Sequence, residues 1–99
     1  MAENQDNRSL VMEIAEVHHI RGVGTCVIGT VVCDRIAYKD KVMVDGIGFT
    51  KELTVGGVEA FRKTNQCGER GETVGMLLIG DVLRELVPGV SVGMKIYRL

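Results

Sequence analysis

Apolar and polar residues alternate along this chain in short runs, with a period near two and frequent glycine breaks. Leu10 to His19 reads as a strand with Met12, Ile14 and Val17 inward and Glu13 and Glu16 outward. A helical stripe of Leu10, Ile14 and Val17 is the competing reading of the same residues. Ile20 to Gly24 is a turn. Thr25 to Val32 is β-branched and predicts a strand, with Gly29 placed where a strand bends sharply at a barrel corner. Cys33 to Asp40 is a loop around Ile36, and Lys41 to Val44 is a short strand with Val42 and Val44 inward. Asp45-Gly46 is a hairpin turn signal.

Phe49 to Val55 leads into Thr54 to Lys63, the stretch around which the rest is organised. Gly56 and Gly57 interrupt its strand pattern, and without Cβ atoms they let the backbone bulge there. A bulge re-aims the side chains beyond it, so Glu59, Phe61, Arg62 and Lys63 form the presented surface. Glu59 and Phe61 are two residues apart and share a strand face, where a carboxylate and an aromatic ring can grip a flat, polar group. Thr64 to Gly71 is a polar loop, Glu72 to Ile79 an apolar strand, and Asp81 caps a helical turn through Leu86. Pro88-Gly89 ends that turn, and Val90 to Tyr97 is the last strand. Met1 to Ser9 is a polar arm, expected to be poorly ordered, ahead of a single domain over residues 10–99.

About six strands at 8–12-residue spacing, with no long amphipathic helix to cover an open sheet, predict an all-β fold: a small closed antiparallel barrel or a sandwich. Closure would also remove exposed edges. The bulk numbers agree. The chain has 99 residues, the size of one domain, and is 45% hydrophobic, too apolar for a disordered chain. Aromatics are only 4%, so Val, Ile, Leu and Met must fill the core. Twelve basic and thirteen acidic residues leave a net charge of -1, which excludes a nucleic-acid binder held by bulk charge alone. Cys26, Cys33 and Cys67 form no C-x-x-C pair; an odd count without a signal segment points to reduced thiols and a cytoplasmic setting. No apolar run is long enough to span a bilayer, so no membrane partner is expected.

Gly22-Val23-Gly24-Thr25-Cys26-Val27-Ile28-Gly29-Thr30-Val31 resembles the G-R-G-T-V-V-x-G-x-V strand that opens the second domain of elongation factor Tu and other translational GTPases. Asp34-Arg35-Ile36 and Lys39-Asp40-Lys41-Val42 are similar to that domain's x-G-x-I-K-V-G-D-x-V. Gly57-Val58-Glu59-Ala60-Phe61-Arg62-Lys63 is similar to its G-V-E-M-F-R-K, and Gly68 to Leu78 to its E-G-x-A-G-D-N-V-G-x-L-L. The motifs keep the family's order over Val11 to Gly89. Val23 replaces the usual Arg, Thr73 the frequent Asn, and Pro88-Gly89 the usual R-G. The resemblance implies a six-stranded antiparallel barrel. It also implies that Glu59 lies against a terminal adenine of transfer RNA, that Phe61 lines an amino-acid pocket and that Arg62 lies near the RNA backbone. Adenine offers a flat face for stacking and Arg neutralises phosphate.

The same residues have a plainer reading, in which the motif serves the barrel and the surface makes an ordinary protein or ribosomal contact. From Thr50 to Glu72, Lys51, Arg62, Lys63 and Arg70 are matched by Glu52, Glu59, Glu69 and Glu72, leaving no net pull on phosphate. No G-x-x-x-x-G-K-[ST] loop and no N-K-x-D occur, so no nucleotide is expected. His18 and His19 would face opposite sides of a strand and cannot share an ion there, so no metal or other cofactor is expected. No nucleophile–base pair or paired carboxylates are evident, so the chain reads as a non-catalytic binding module. Its expected partners are RNA, a ribosomal or translation protein, or another copy of itself. The expected surface is Glu59, Phe61, Arg62 and Lys63, with Arg21 and Arg70 nearby.

Overall fold

Valine, isoleucine, leucine and methionine spaced two apart build this fold strand by strand. The computed structural model describes residues 9–60, 67–81 and 85–99. It is all-β, and no helix occurs among the described residues. The described residues form nine strands: β1 (Ser9–Glu13), β2 (Glu16–Ile20), β3 (Gly24–Thr30), β4 (Arg35–Ala37), β5 (Lys41–Gly46), β6 (Phe49–Ala60), β7 (Cys67–Glu69), β8 (Thr73–Ile79) and β9 (Lys95–Arg98). Seven form one antiparallel sheet in the order β1-β9-β5-β6-β8-β3-β2, and β4 pairs with β7 beside it.

The single strand expected over residues 10–19 is two strands. A bulge between Leu10 and Met12 turns both Val11 and Met12 inward, each fully buried, before Ile14 joins them in the core. Val17 is only half-buried. Ser9, assigned by sequence to the polar arm, already pairs with Arg98. Val42 and Val44 are both fully buried, as their alternation requires. The hairpin turn falls at Ile47-Gly48, two residues beyond the Asp45-Gly46 signal. Gly46 pairs with Phe49, and it is Gly48 that adopts a positive φ of 73°. The loops expected at 33–40 and 64–71 each contain a short strand, β4 and β7. Strand character in the last segment starts at Lys95, after a turn at Gly93 with φ of 92°. The helical turn expected from Asp81 to Leu86 lies partly outside the described residues.

The core is valine-rich and joins every strand of the large sheet except β2, from which only half-buried Val17 packs against it. Strands β1 and β2 stand at the two ends of the ladder although they are consecutive in the chain. The Val32 N–H donates to the Val11 carbonyl at 2.8 Å, and the Ala15 N–H to the Ile28 carbonyl at 2.8 Å. These bonds lay the start of the chain against β3. Gly29 permits that approach: a Cβ there would sit 2.7 Å from the Glu13 carbonyl oxygen and 2.7 Å from the Met12 sulfur.

Candidate functional site

The Gly56-Gly57 bulge expected from sequence is present. Val55 pairs with Leu78 and Gly57 with Leu77, so Gly56 is the extra residue. A Cβ at position 56 would lie 2.4 Å from Ile79 Cδ1, so a larger residue there must push that side chain aside. After the bulge, Val58 and Ala60 point into the core and Glu59 points out, exposed.

Glu59 stands at the rim of an apolar trough on the outer surface of β2, β3, β8 and β6. Two cross-strand rows define it. One runs His18, Cys26, Leu77, Gly57; the other runs Glu16, Ile28, Gly75, Glu59. The trough has a volume of about 410 Å³, and Ile20 and Val23 close one end. It exists because residue 75 has no side chain. A Cβ added at Gly75 would meet nothing closer than 4.0 Å, so the floor between Ile28 and Glu59 is open space. Ile20 and Val23 are both 44% exposed, so the apolar end is accessible. Their turn is tightened by a Val23 N–H to Ile20 carbonyl bond of 3.0 Å around Gly22, whose φ is 81°.

The electrostatics of this trough are acidic at the rim and neutral at the floor. Burial, and then the negative charge of Glu59, push the Cys26 thiol above its ordinary range, so it stays a neutral, apolar wall. His18 Nε2 lies 3.0 Å from Glu16 Oε1 at the opposite rim. Below the trough, the fully buried Thr25 Oγ1 accepts from the Val87 N–H at 2.7 Å and lies 2.9 Å from His19 Nδ1. That bond holds the 85–87 segment against β3. His18 and His19 do face opposite sides, as a strand requires.

The structure separates the residues that the sequence grouped. Glu59 lines the trough, and exposed Arg21 lies in the turn between its wall residues Ile20 and Val23. Arg70 is elsewhere, in the turn after β7, where its guanidinium is bonded to Asp34. Phe61, Arg62 and Lys63 lie outside the described residues. Cys33 and Cys67 are buried, and Cys33 Sγ donates to the Arg35 carbonyl at 3.4 Å. The sequence reading missed Cys26, Ile28, Gly75 and Leu77 as one surface. The available signal was that β3 and β8 carry apolar or absent side chains on their outward as well as inward positions. No family model matches the chain.

Proposed function

We propose that this protein is a non-catalytic binding module whose trough takes a flat, amine-bearing group, as on the unpaired end of a translation-type RNA. The open floor over Gly75 with the Glu59 carboxylate at its rim carries this reading. An aromatic base can lie between Ile28, Leu77 and the thiol of Cys26, and Glu59 can accept from an exocyclic amine. The rim carboxylates Glu16 and Glu59 repel phosphate, so the base enters and the backbone stays outside. The fold proposed with it is the closed six-stranded barrel that the motifs resemble. The bonds from Val32 to Val11 and from Ala15 to Ile28, which bring β1 and β3 together, support closure.

The test is a titration with adenosine and with a short single-stranded RNA ending in adenosine, read by amide chemical shifts. Saturable shifts at Glu59, Gly75 and Cys26 are expected. Gly75→Val should weaken binding at least about tenfold, within the ~1–3 kcal/mol that one stacked base contributes. Glu59→Gln should weaken it less. No shift in this trough, or equal affinity in Gly75→Val, would refute the reading.

A further inference from the structure

We propose that the free edge of β2 docks an extended peptide of another protein, which joins the sheet as one more antiparallel strand and carries a basic side chain opposite Glu16. The edge lies beside the trough, and the inference does not depend on the trough's ligand. β2 stands at one end of the seven-stranded order and pairs only with β3. The strand at the other end, β1, is partly covered, because the Val11 carbonyl accepts from the Val32 N–H. Among the described residues, β2 is also the only strand without a buried residue: Val17 is half-buried and the other four are exposed.

The bonds at its two ends decide which backbone groups are free. The Ala15 N–H donates to the Ile28 carbonyl at 2.8 Å, just ahead of the Glu16–Ile28 pair. The Val23 N–H donates to the Ile20 carbonyl at 3.0 Å, where β2 turns into β3. In an antiparallel ladder, residues bonded to one neighbour alternate with residues that face the other side. Glu16, His18 and Ile20 therefore bond to β3, and the N–H and C=O groups of Val17 and His19 point away from it. Among the described residues nothing donates to or accepts from these groups. Donors and acceptors in a row at strand spacing are satisfied by another extended strand.

Side chains then select the strand. The outer face of β2 shows Glu16, His18 and Ile20. Ile20 and Val23, in the turn beside it, are each 44% exposed. A peptide laid antiparallel meets this apolar wall with its first residue and the Glu16 carboxylate with its fifth. The cross-strand row through Glu16 continues to Ile28, Gly75 and Glu59 and holds no base. His18 contacts only the Oε1 atom of Glu16, at 3.0 Å, so a peptide lysine or arginine can take the other oxygen. A second copy of β2 fits worse. The two-fold pairing that sets Val17 against His19 of the other copy also sets the two His18 side chains against each other. It leaves each Glu16 opposite an isoleucine. The occupant is a strand of different sequence, apolar at its first position and basic at its fifth.

Two blocked pentapeptides of alternating valine and threonine, one ending in lysine and one in glutamate, test this. The readout is amide hydrogen exchange with amide chemical shifts. In the free protein the Val17 and His19 amides should exchange faster than that of His18. The lysine peptide should bind with a dissociation constant of about 1 mM, and at ten times that concentration both amides should slow about tenfold. N-methylation of its second or fourth residue, which face His19 and Val17, should weaken binding about tenfold or more; at the third residue the change should stay under about threefold. The glutamate peptide should bind about threefold more weakly, and Glu16→Lys should reverse that preference. Glu16 is exposed, and circular dichroism checks that the variant is folded. Val17 and His19 amides already protected in dilute free protein would overturn the proposal. So would indifference to the position of the N-methyl group, or a preference that Glu16→Lys does not reverse. Peptide shifts confined to Glu59, Gly75 and Cys26 would overturn it by placing the peptide in the trough. Slowing of the two amides by protein concentration alone would overturn it in favour of a second copy. A trough that fails to bind adenosine leaves it standing.

Discussion

On the β3–β8 side of the sheet the outward positions alternate between bulky and missing side chains: Ile28 faces Gly75, and Cys26 faces Leu77. On the β9–β5 side the outward positions are filled without interruption by Leu10, Tyr97 and Met43, with Lys41 and Asp45 above and below. Both surfaces belong to one antiparallel sheet over one valine-rich core, so backbone architecture does not distinguish them. A single absent side chain makes the first concave and suited to enclosing a small group. On the second, the row of Leu10, Tyr97 and Met43 has no such missing side chain. The two surfaces differ only at outward positions, where the core places no constraint, and there side-chain volume shapes the surface as much as charge does.

The largest effect should come from removing the feature that aims the concave face. Gly56→Val drives a side chain into Ile79, whose Cδ1 lies 2.4 Å from the added Cβ. Displacing the half-buried Ile79 side chain on the outer face should cost about 1 kcal/mol. Thermal denaturation should show a midpoint lowered by roughly 4–8 °C. Gly75→Val should leave the midpoint nearly unchanged, since its Cβ meets open space and a β-branched residue suits a strand. If both variants melt alike, the bulge is not the structural pivot and the contrast between the faces loses its cause.

Parts of both faces were legible before the structure, and the floor of the trough was not. The Gly56-Gly57 bulge and the burial of Val42 and Val44 follow from period-two alternation and the missing Cβ atoms. The Leu10–His19 segment did not resolve because the bulge buries Val11 and Met12 in succession, which breaks the period-two alternation that marks a single strand. Asp45-Gly46 misled for a related reason. Gly46 lies beside Met94, a Cβ there falling 2.7 Å from Met94 Cγ, while the turn's positive φ belongs to Gly48. Strands β4 and β7 are three residues long, too short for any periodicity to show. Glu59 was found because it comes just after the bulge. The floor it overlooks was missed because a trough is defined by neighbours on four strands, and spacing along one strand does not reveal them.

A smaller effect sharpens the trough itself. Among the three cysteines only Cys26 is half-exposed; Cys33 and Cys67 are buried. Cys26 should therefore be alkylated first, but slowly, because burial and the Glu59 charge hold its thiol above the ordinary range. Glu59→Gln removes the second cause and should speed alkylation near pH 8 by a few-fold, as mass spectrometry of the modified peptide can measure. A bound ligand should slow it. An unchanged rate in Glu59→Gln would mean that the carboxylate does not face the trough floor.

The smallest effect separates the trough from the rest of the charged surface. The Arg70 guanidinium, bonded to Asp34, holds that carboxyl below its ordinary value, with Arg98 adding slightly. A carboxyl lowered on folding stabilises the folded state at pH values above its unfolded pKa of about 3.9 and loses that contribution as pH falls through the lowered value. Asp34 is fully exposed and Arg70 largely so, so solvent screens the pair and the contribution is slight. Arg70→Ala should flatten the fall in urea midpoint between about pH 5 and pH 2.5 without altering affinity at the trough. If Arg70→Ala instead weakens binding as much as Glu59→Gln does, the ligand reaches across to β7 and the concave face is larger than Gly75 and its neighbours define.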